Sequence, residues 1–493
     1  MVPHSSEEEP LEDKRPRTVS YLVEAKEECP HVLWKPFDIL NKYGSKTKRL
    51  RSGETFEPNK QETESTASSG KQLDLSLEMK GGASNGKLTA TTIMRMAGMK
   101  SNAATMGDQE LESGLTQETS KHLLLAMCLL DAADKFSCQQ YDLAENLLIN
   151  VLKVSDPAHN HVQRVVTCFA RNLLEKIETE TGKIDLEREV GDLNLEEAIL
   201  DLKVSMRKVE QKLPLCQITH FTGVQTILDS VASAKRIHFI DIGVKIGSHW
   251  IVLMDALANR KNCPIEQLKI SAVATSIDKL DETGKVLSSF AKSMNLSFTF
   301  RILNSEIHEL RSEMFELEAG EAVAVYMEFC LQSLSDSPKK LESLVREVKN
   351  LNPCVTVVSD IEADIRGWTF IGRFYESLLL CSAMFDCLED CLSGDSDCRK
   401  IIEKLYFQEI IKPMMLAVDD NNLKHHLKID FWRGYFARFD VVEMELSQSS
   451  MFQASLLLKE SDSRRACTLS MNGKSMLLGW KGTSLRSVSA WKF

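Results

Sequence analysis

The sequence predicts an α/β domain whose mostly parallel sheet has an antiparallel edge, joined to a layer of helices and preceded by a disordered tail. Three observations carry this. Leucines and other apolar residues recur at three- and four-residue steps from Lys121 to Val209, the spacing of amphipathic helices. After Pro214, short β-rich runs alternate with helical segments, the pattern of parallel strands covered on both faces. Before about residue 115 neither pattern holds: no Phe, Trp or Tyr occurs between Glu57 and Lys135. The Ser-, Thr-, Gly- and Lys-rich stretch from Glu62 to Asn102 cannot bury enough apolar surface to offset chain entropy.

A length of 493 residues allows three average domains. The patterns assign instead a tail over 1–115 and one large domain over 120–493, with a helical cap mainly in 120–215 and an α/β core mainly in 216–493. The tail carries two basic clusters, Lys14-Arg15-Pro16-Arg17 and Lys46-Thr47-Lys48-Arg49-Leu50-Arg51, separated by the aromatic patch Val32 to Leu40. Lys14, Arg15, Arg17, Lys46, Lys48, Arg49 and Arg51 are candidates for a nuclear-import receptor, because exposed basic runs fit acidic grooves. A solvating charge run is the plainer alternative. The aromatic patch is either a docking peptide that folds on a partner or a sticky spot without one.

In the cap, Leu123, Leu124, Met127, Leu130 and Ala133, then Leu143, Leu147, Leu148, Val151 and Leu152, define two helices. A third spans Val162 to Ile177, and a fourth Leu195 to Val209. No heptad seam persists long enough to mark a coiled coil, so a helical layer packed on itself is expected. In the core, Arg236-Ile237-His238-Phe239-Ile240-Asp241 reads as a buried strand, Gly243 to Gly247 as a turn and Trp250 to Ala258 as a helix. Further strands are expected at Leu268 to Val273, Leu296 to Ile302, Val323 to Phe329 and Cys354 to Ser359. Gln453 to Leu458 and Ser475 to Trp480, the latter after the turn at Asn472-Gly473, are expected as an antiparallel pair at one edge. This is a Rossmann-like, methyltransferase-like layout.

Several function classes are excluded or weakened. The net charge of −11 opposes a uniformly basic nucleic-acid-coating surface, though a local basic groove is compatible with it. No apolar run approaches the roughly 18 residues of a membrane span, and the N-terminus lacks a signal peptide's apolar stretch. Thirteen cysteines, mostly in apolar segments, suit a reducing compartment, cytosol or nucleus.

The turn after the first strand is where a dinucleotide or S-adenosylmethionine would bind, on an acid-terminated strand and closely spaced glycines. Here Asp241-Ile242-Gly243-Val244-Lys245-Ile246-Gly247 puts Lys245 where a middle glycine would be expected. The second strand ends Val273-Ala274-Thr275-Ser276, without the carboxylate that holds ribose hydroxyls. No cofactor, no metal and no catalytic residue are therefore expected. A phosphate-binding Gly-x-x-x-x-Gly-Lys-Ser/Thr loop, a His-Glu-x-x-His helix and a Gly-x-Ser-x-Gly elbow are all missing. Cys381, Cys387, Cys391 and Cys398 match no zinc spacing, and core packing is expected of them. His425-His426 and His159-x-His161 read as surface or capping histidines.

At these residues the chain resembles the plant GRAS family of transcription regulators, over about residues 120–493 and in the family's motif order. The helical pair from Leu123 to Ile177 resembles the first leucine-rich region, and Thr219 to Leu228 the stretch before the central strand. Ile237, His238, Phe239, Ile240 and Asp241 match the VHIID signature. Pro353, Arg373-Phe374-Tyr375 and Gln408-Glu409 correspond to the PFYRE elements. Trp480, with Ser489-Ala490-Trp491, resembles the SAW motif. Gln408 replaces the arginine of the RE pair, and Ser484 stands where the family usually has proline. No Asp-Glu-Leu-Leu-Ala stretch is present, so the degradation route of the gibberellin-controlled subgroup is not expected.

The resemblance implies a helical cap on a degenerate methyltransferase-like core. It also implies a non-enzymatic nuclear regulator whose partners are other transcription factors, zinc-finger proteins among them, and other GRAS proteins in homo- or heterodimers. The alternatives are direct sequence-specific DNA binding, with Arg236, Lys245, Arg366 and Arg373 as candidate contacts, and an S-adenosylmethionine-dependent methyltransferase. Trp480 and Trp491 are expected to be stability anchors.

Overall fold

The computed structural model describes residues 88–102, 115–158, 160–183, 195–243, 247–274, 278–335, 337–364, 369–416 and 426–493. Both basic clusters of the tail, the aromatic patch, Lys245, Ser276, Arg366, His159 and His425 lie outside them.

The helical layer begins earlier than the sequence suggests. Helix α1, Ala90–Asn102, falls inside the expected tail, yet Ala90, Ile93, Met94, Met96 and Ala97 are buried. Those positions lie on one helical face, so this segment corrects the expectation of disorder. It packs on α2 (Gln117–Ser137) and on α10 (Phe370–Cys391). Helices α3 (Tyr141–Val154), α4 (His161–Glu180) and α5 (Leu195–Lys212) follow. Three starts are capped as polar side chains allow: Thr89 Oγ1 accepts from Thr92 N, Thr116 Oγ1 from Thr119 N, and Asn160 Oδ1 from Gln163 N.

Helix α6 (Pro214–Ser230) opens on proline and is buried nearly throughout. Behind it come β1 (Arg236–Ile242), α7 (Ser248–Ala258), β2 (Gln267–Ala274), α8 (Asp278–Ser293), β3 (Phe298–Asn304), β4 (Ala322–Glu328), α9 (Pro338–Asn350) and β5 (Val355–Ile361), alternating as expected except between β3 and β4, which two short 3-10 turns connect. The chain continues through α10, α11 (Ser396–Tyr406), a π-helical turn Phe407–Ile411, α12 (Lys412–Leu416), α13 (Ile429–Ala437), β6 (Val442–Met444), α14 (Gln448–Glu460), β7 (Cys467–Asn472), β8 (Ser475–Trp480) and β9 (Thr483–Lys492).

The sheet order is β3-β2-β1-β4-β5-β9-β8-β7, with β6 also on β9. The first five strands are mutually parallel, and β9 runs antiparallel to β5 with Thr356 opposite Trp491. This is the expected Rossmann-like, methyltransferase-like sheet with its antiparallel edge. One edge assignment was misplaced: Gln453 to Leu458 lies in α14, where Gln453, Ala454 and Leu457 are buried at helical spacing and Ser447 caps the start. The partner of β8 is β7, turned at Gly473 with φ +59°. A core under one face gathers strand residues such as Val325 and Val358 with Leu344 of α9, Trp432 and Phe436 of α13, and Trp491.

Candidate functional site

The carboxyl ends of β1, β4 and β5 form the place where this fold binds ligands. Asp241 ends β1 as the sequence suggests, but its carboxylate is already engaged. Trp250 Nε1 donates to Asp241 Oδ2 at 2.7 Å, and His249 Nε2 lies 3.0 Å from the same oxygen. Both donors come from the first turn of α7, which Gly247 starts in the left-handed region at φ +75°. A Cβ on Gly247 would sit 2.5 Å from the Trp250 ring. The glycine therefore admits this protein's own indole, which is fully buried and 5.6 Å from the ring of Phe300 on β3.

Beside it, Glu328 at the end of β4 has both oxygens 3.2 Å from His220 Nε2 of α6, and Arg486 of β9 is 3.7 Å away. Burial alone would raise the Glu328 carboxyl, but His220 and Arg486 hold it down to about 2. Burial likewise pulls His220 down, and Glu328 more than offsets it, so the imidazole is raised. Tyr326 lies between the two groups, its ring 4.9 Å from that of His249, and burial pushes its phenol up. Gly223 of α6 lets the helix approach here, since a Cβ would be 2.7 Å from Tyr326. Past β5, Glu362 is buried and accepts from Ile429 N at 3.2 Å. Its carboxyl is pushed up to about 7 by burial, against the pull of the Ile429 and Ser487 bonds.

At the strand ends Asp241 and Glu328 are thus engaged by side chains from α6, α7 and β9, while Asp241 Oδ1, His249 Nδ1 and the Tyr326 hydroxyl are buried without hydrogen-bond partners among the described residues. Among the described residues no group of three His, Cys, Asp or Glu is arranged to hold a metal. His249, Trp250, His220 and Glu328 went unread in the sequence. Their only signal was the His-Trp pair just after the glycine turn and a strand ending in Glu.

The motif residues mostly build the core. Ile237, His238, Phe239, Ile240 and Asp241 are all buried. His238 Nε2 is 2.8 Å from Ser271 Oγ on β2, and its Nδ1 is 3.3 Å from Glu321. Burial, with Lys269 and Arg301 nearby, lowers His238 to about 3, so it is neutral. Pro353 O accepts from Lys492 Nζ at 2.7 Å. Phe374 is buried edge-on to Phe169 at 5.2 Å, and Tyr375 packs against α1 at Gly98. Gln408 and Glu409 are exposed on the π-helical turn. Trp480, Ser489, Ala490 and Trp491 are buried, with Trp491 Nε1 donating to Ser489 Oγ at 2.8 Å and Ser489 Oγ to Val358 O at 3.3 Å.

Of the candidate DNA contacts, Arg236 bonds Gln267 at 3.1 Å and pairs with Glu318. Arg373 is buried in α10. The Arg236 side chain remains 33% exposed beside its acid, whereas the buried Arg373 is not held out to solvent as a phosphate contact requires. Cys381, Cys387 and Cys398 are buried, and Cys391 is half-buried. His161 is 2.8 Å from Asp386 of α10. Asp386, also unread in the sequence, accepts from Ala90 N at 3.1 Å and from Thr91 N and Oγ1 at 3.3 Å, so it caps α1 from across the layer.

A methyltransferase-like sheet beneath a helical cap defines the class. The GRAS domain family model matches residues 125–492, and the chain belongs to that family. Its relatives include DELLA protein RGL1 of Arabidopsis thaliana, 27% identical over 379 residues, covering 76% of this chain and 71% of that one. Protein SCARECROW of Ipomoea nil is 27% identical over 385 residues, covering 78% of this chain and 48% of that one. The chain thus spans between about half and seven-tenths of the length of these two relatives. Among solved structures, SCL7 of Oryza sativa superposes with a TM-score of 0.63 at 23% identity, covering 81% of this chain and 99% of that one, a likeness of fold.

Proposed function

We propose that this GRAS protein is a nuclear, non-catalytic transcription regulator that works by holding other proteins. The observation that carries this reading is the strand end, where Trp250, His249, His220 and Arg486 occupy the carboxylates a cofactor would need. Kinship with DELLA and SCARECROW proteins supports it. The partners are other transcription factors, zinc-finger proteins among them, and other GRAS chains, in homo- or heterodimers. Leu124 and Leu143, 61% and 54% exposed on the packed pair α2 and α3, are the apolar residues through which the cap would pair. With Arg236 paired and Arg373 buried, sequence readout falls to the DNA-binding partner.

The test is recovery of the tagged full chain from plant cells, with and without nuclease treatment. Expected is a nuclear chain whose protein partners persist after nuclease and weaken when Leu124→Glu and Leu143→Glu are combined. A chain confined to the cytosol, or one whose partners all leave with the DNA, would overturn the reading. Nuclear entry is expected to fall when Lys48, Arg49 and Arg51 are neutralised together.

A further inference from the structure

The sheet ends at β3 on one side and at β7 on the other. Natural sheets blunt such edges with charge, proline or bulges. At β3 the middle residue is Arg301, which donates to Glu316 at 2.8 Å. The β7 strand carries none of these devices: Cys467-Thr468-Leu469-Ser470-Met471-Asn472 has no charge and no proline, and it pairs with β8 in unbroken register. Ala466 O accepts from Lys481 N, on the side that faces β8. Backbone groups alternate in direction along an antiparallel strand, so the N–H and C=O of Leu469 and Met471 point away from β8. No other strand among the described residues pairs with β7 there, and the Met471 side chain is itself 47% exposed.

We propose that β7 pairs antiparallel with β7 of a second copy of this chain, about a two-fold axis at Ser470, so that two sheets join into one. In this register Leu469 of each copy lies opposite Met471 of the other, and each such pair exchanges both backbone bonds. The same pairs bring two apolar side chains together on one face. A strand that meets itself about a two-fold sets its own residues against one another, and like charges so opposed are destabilising. An uncharged strand avoids that repulsion. Antiparallel pairing also places the start of each β7 beside the end of the other, and there the charges are complementary. At the start stand the exposed Arg464 and Arg465. At the end Asn472 Nδ2 donates to Asp430 at 3.2 Å, and that aspartate side chain is 64% exposed. Lys474, at the same turn, is engaged with Glu443 O at 3.1 Å. This edge belongs to other elements than Leu124 and Leu143 of the cap, and its pairing does not depend on theirs.

The test is the mass of the purified full chain by light scattering over a concentration series, in the parent and in a Leu124→Glu, Leu143→Glu variant that removes the cap contact. The variant is expected to remain a dimer, and to fall to half that mass when Ser470→Lys and Met471→Lys are added. Separately, Ser470→Cys in the otherwise unaltered chain is expected to give a disulfide between position 470 of two copies under mild oxidation, read by peptide mass spectrometry. Residues opposed at a non-hydrogen-bonded site stand about 4.5 Å apart at Cα, within disulfide range. A cap variant that is monomeric at every concentration would overturn the proposal, as would a dimer indifferent to the two lysines or a link from position 470 only to other cysteines. A monomer whose edge instead captures an extended segment of a different protein, lost with the same lysines, would overturn it too.

Discussion

Two buried carboxylates, Asp241 at the end of β1 and Asp386 in α10, each take donors that other parts of the chain bring to them, and at Asp241 these go to one oxygen while Oδ1 has no hydrogen-bond partner among the described residues. Asp241 takes an indole and an imidazole from eight and nine residues away. Asp386 takes two backbone amides and a hydroxyl from α1, nearly three hundred residues earlier. The first arrangement is local and fills a place where this fold class binds ligands. The second is long-range and recruits a helix outside the matched family region, 125–492. A buried charge must be paired to persist, and here one pairing closes a site while the other extends a layer.

The largest expected effect lies at the closed site. Trp250→Ala empties a fully buried indole and strips a donor from Asp241, and denaturant unfolding is expected to show a loss of about 3–5 kcal/mol. Calorimetry with S-adenosylmethionine on the same variant sharpens the comparison, because binding would mean that the indole alone had excluded the cofactor. Next comes Asp386→Ala, expected to cost about 2–4 kcal/mol through donors left buried without an acceptor. Limited proteolysis should then cut within 88–102 first, and resistance there would break the view that Asp386 holds α1. Gly98→Ala probes the same contact more gently: its Cβ would lie 2.5 Å from the Tyr375 ring, and overpacking of this kind costs about 1–3 kcal/mol.

The smallest effect is pH-dependent. Glu362 has a folded pKa of about 7, above its unfolded value. Its contribution to stability is therefore full below the unfolded pKa and is lost as pH rises through about 7. Glu362→Gln keeps an acceptor for Ile429 and is expected to be more stable than the parent at pH 8 by about 1–2 kcal/mol. Below the unfolded pKa, melting temperatures of the two should converge.

Much of the sheet was legible because the strands β1 to β5 are runs rich in β-branched and apolar residues, and all but β3 lead on to a helix before the next strand. Gln453 to Leu458 was read as a strand because an apolar run that short has no decisive period. Its helix shows only once Gln453, Ala454 and Leu457 are seen sharing a buried face. Helix α1 escaped because its aromatic-free sequence offers little local drive, and its stabilisation comes from Asp386 and the faces of α2 and α10. At the site, Asp241 and the acid-free end of β2 were readable residue by residue. That Trp250 turns back onto Asp241 depends on the left-handed start at Gly247, which a sequence does not display. Arg236 and Arg373 were readable as charges, but the acid paired with one and the burial of the other were not.

The 296-residue separation between Ala90 and Asp386 also sets an order of events at the ribosome. At synthesis rates of about 5–20 residues per second, α1 emerges roughly 15–60 s before the carboxylate that caps it. Helix α2 can shield part of its apolar face at once, but the other part stays uncovered until α10 arrives. During that interval the nascent chain carries an exposed sticky strip, a natural handle for a chaperone.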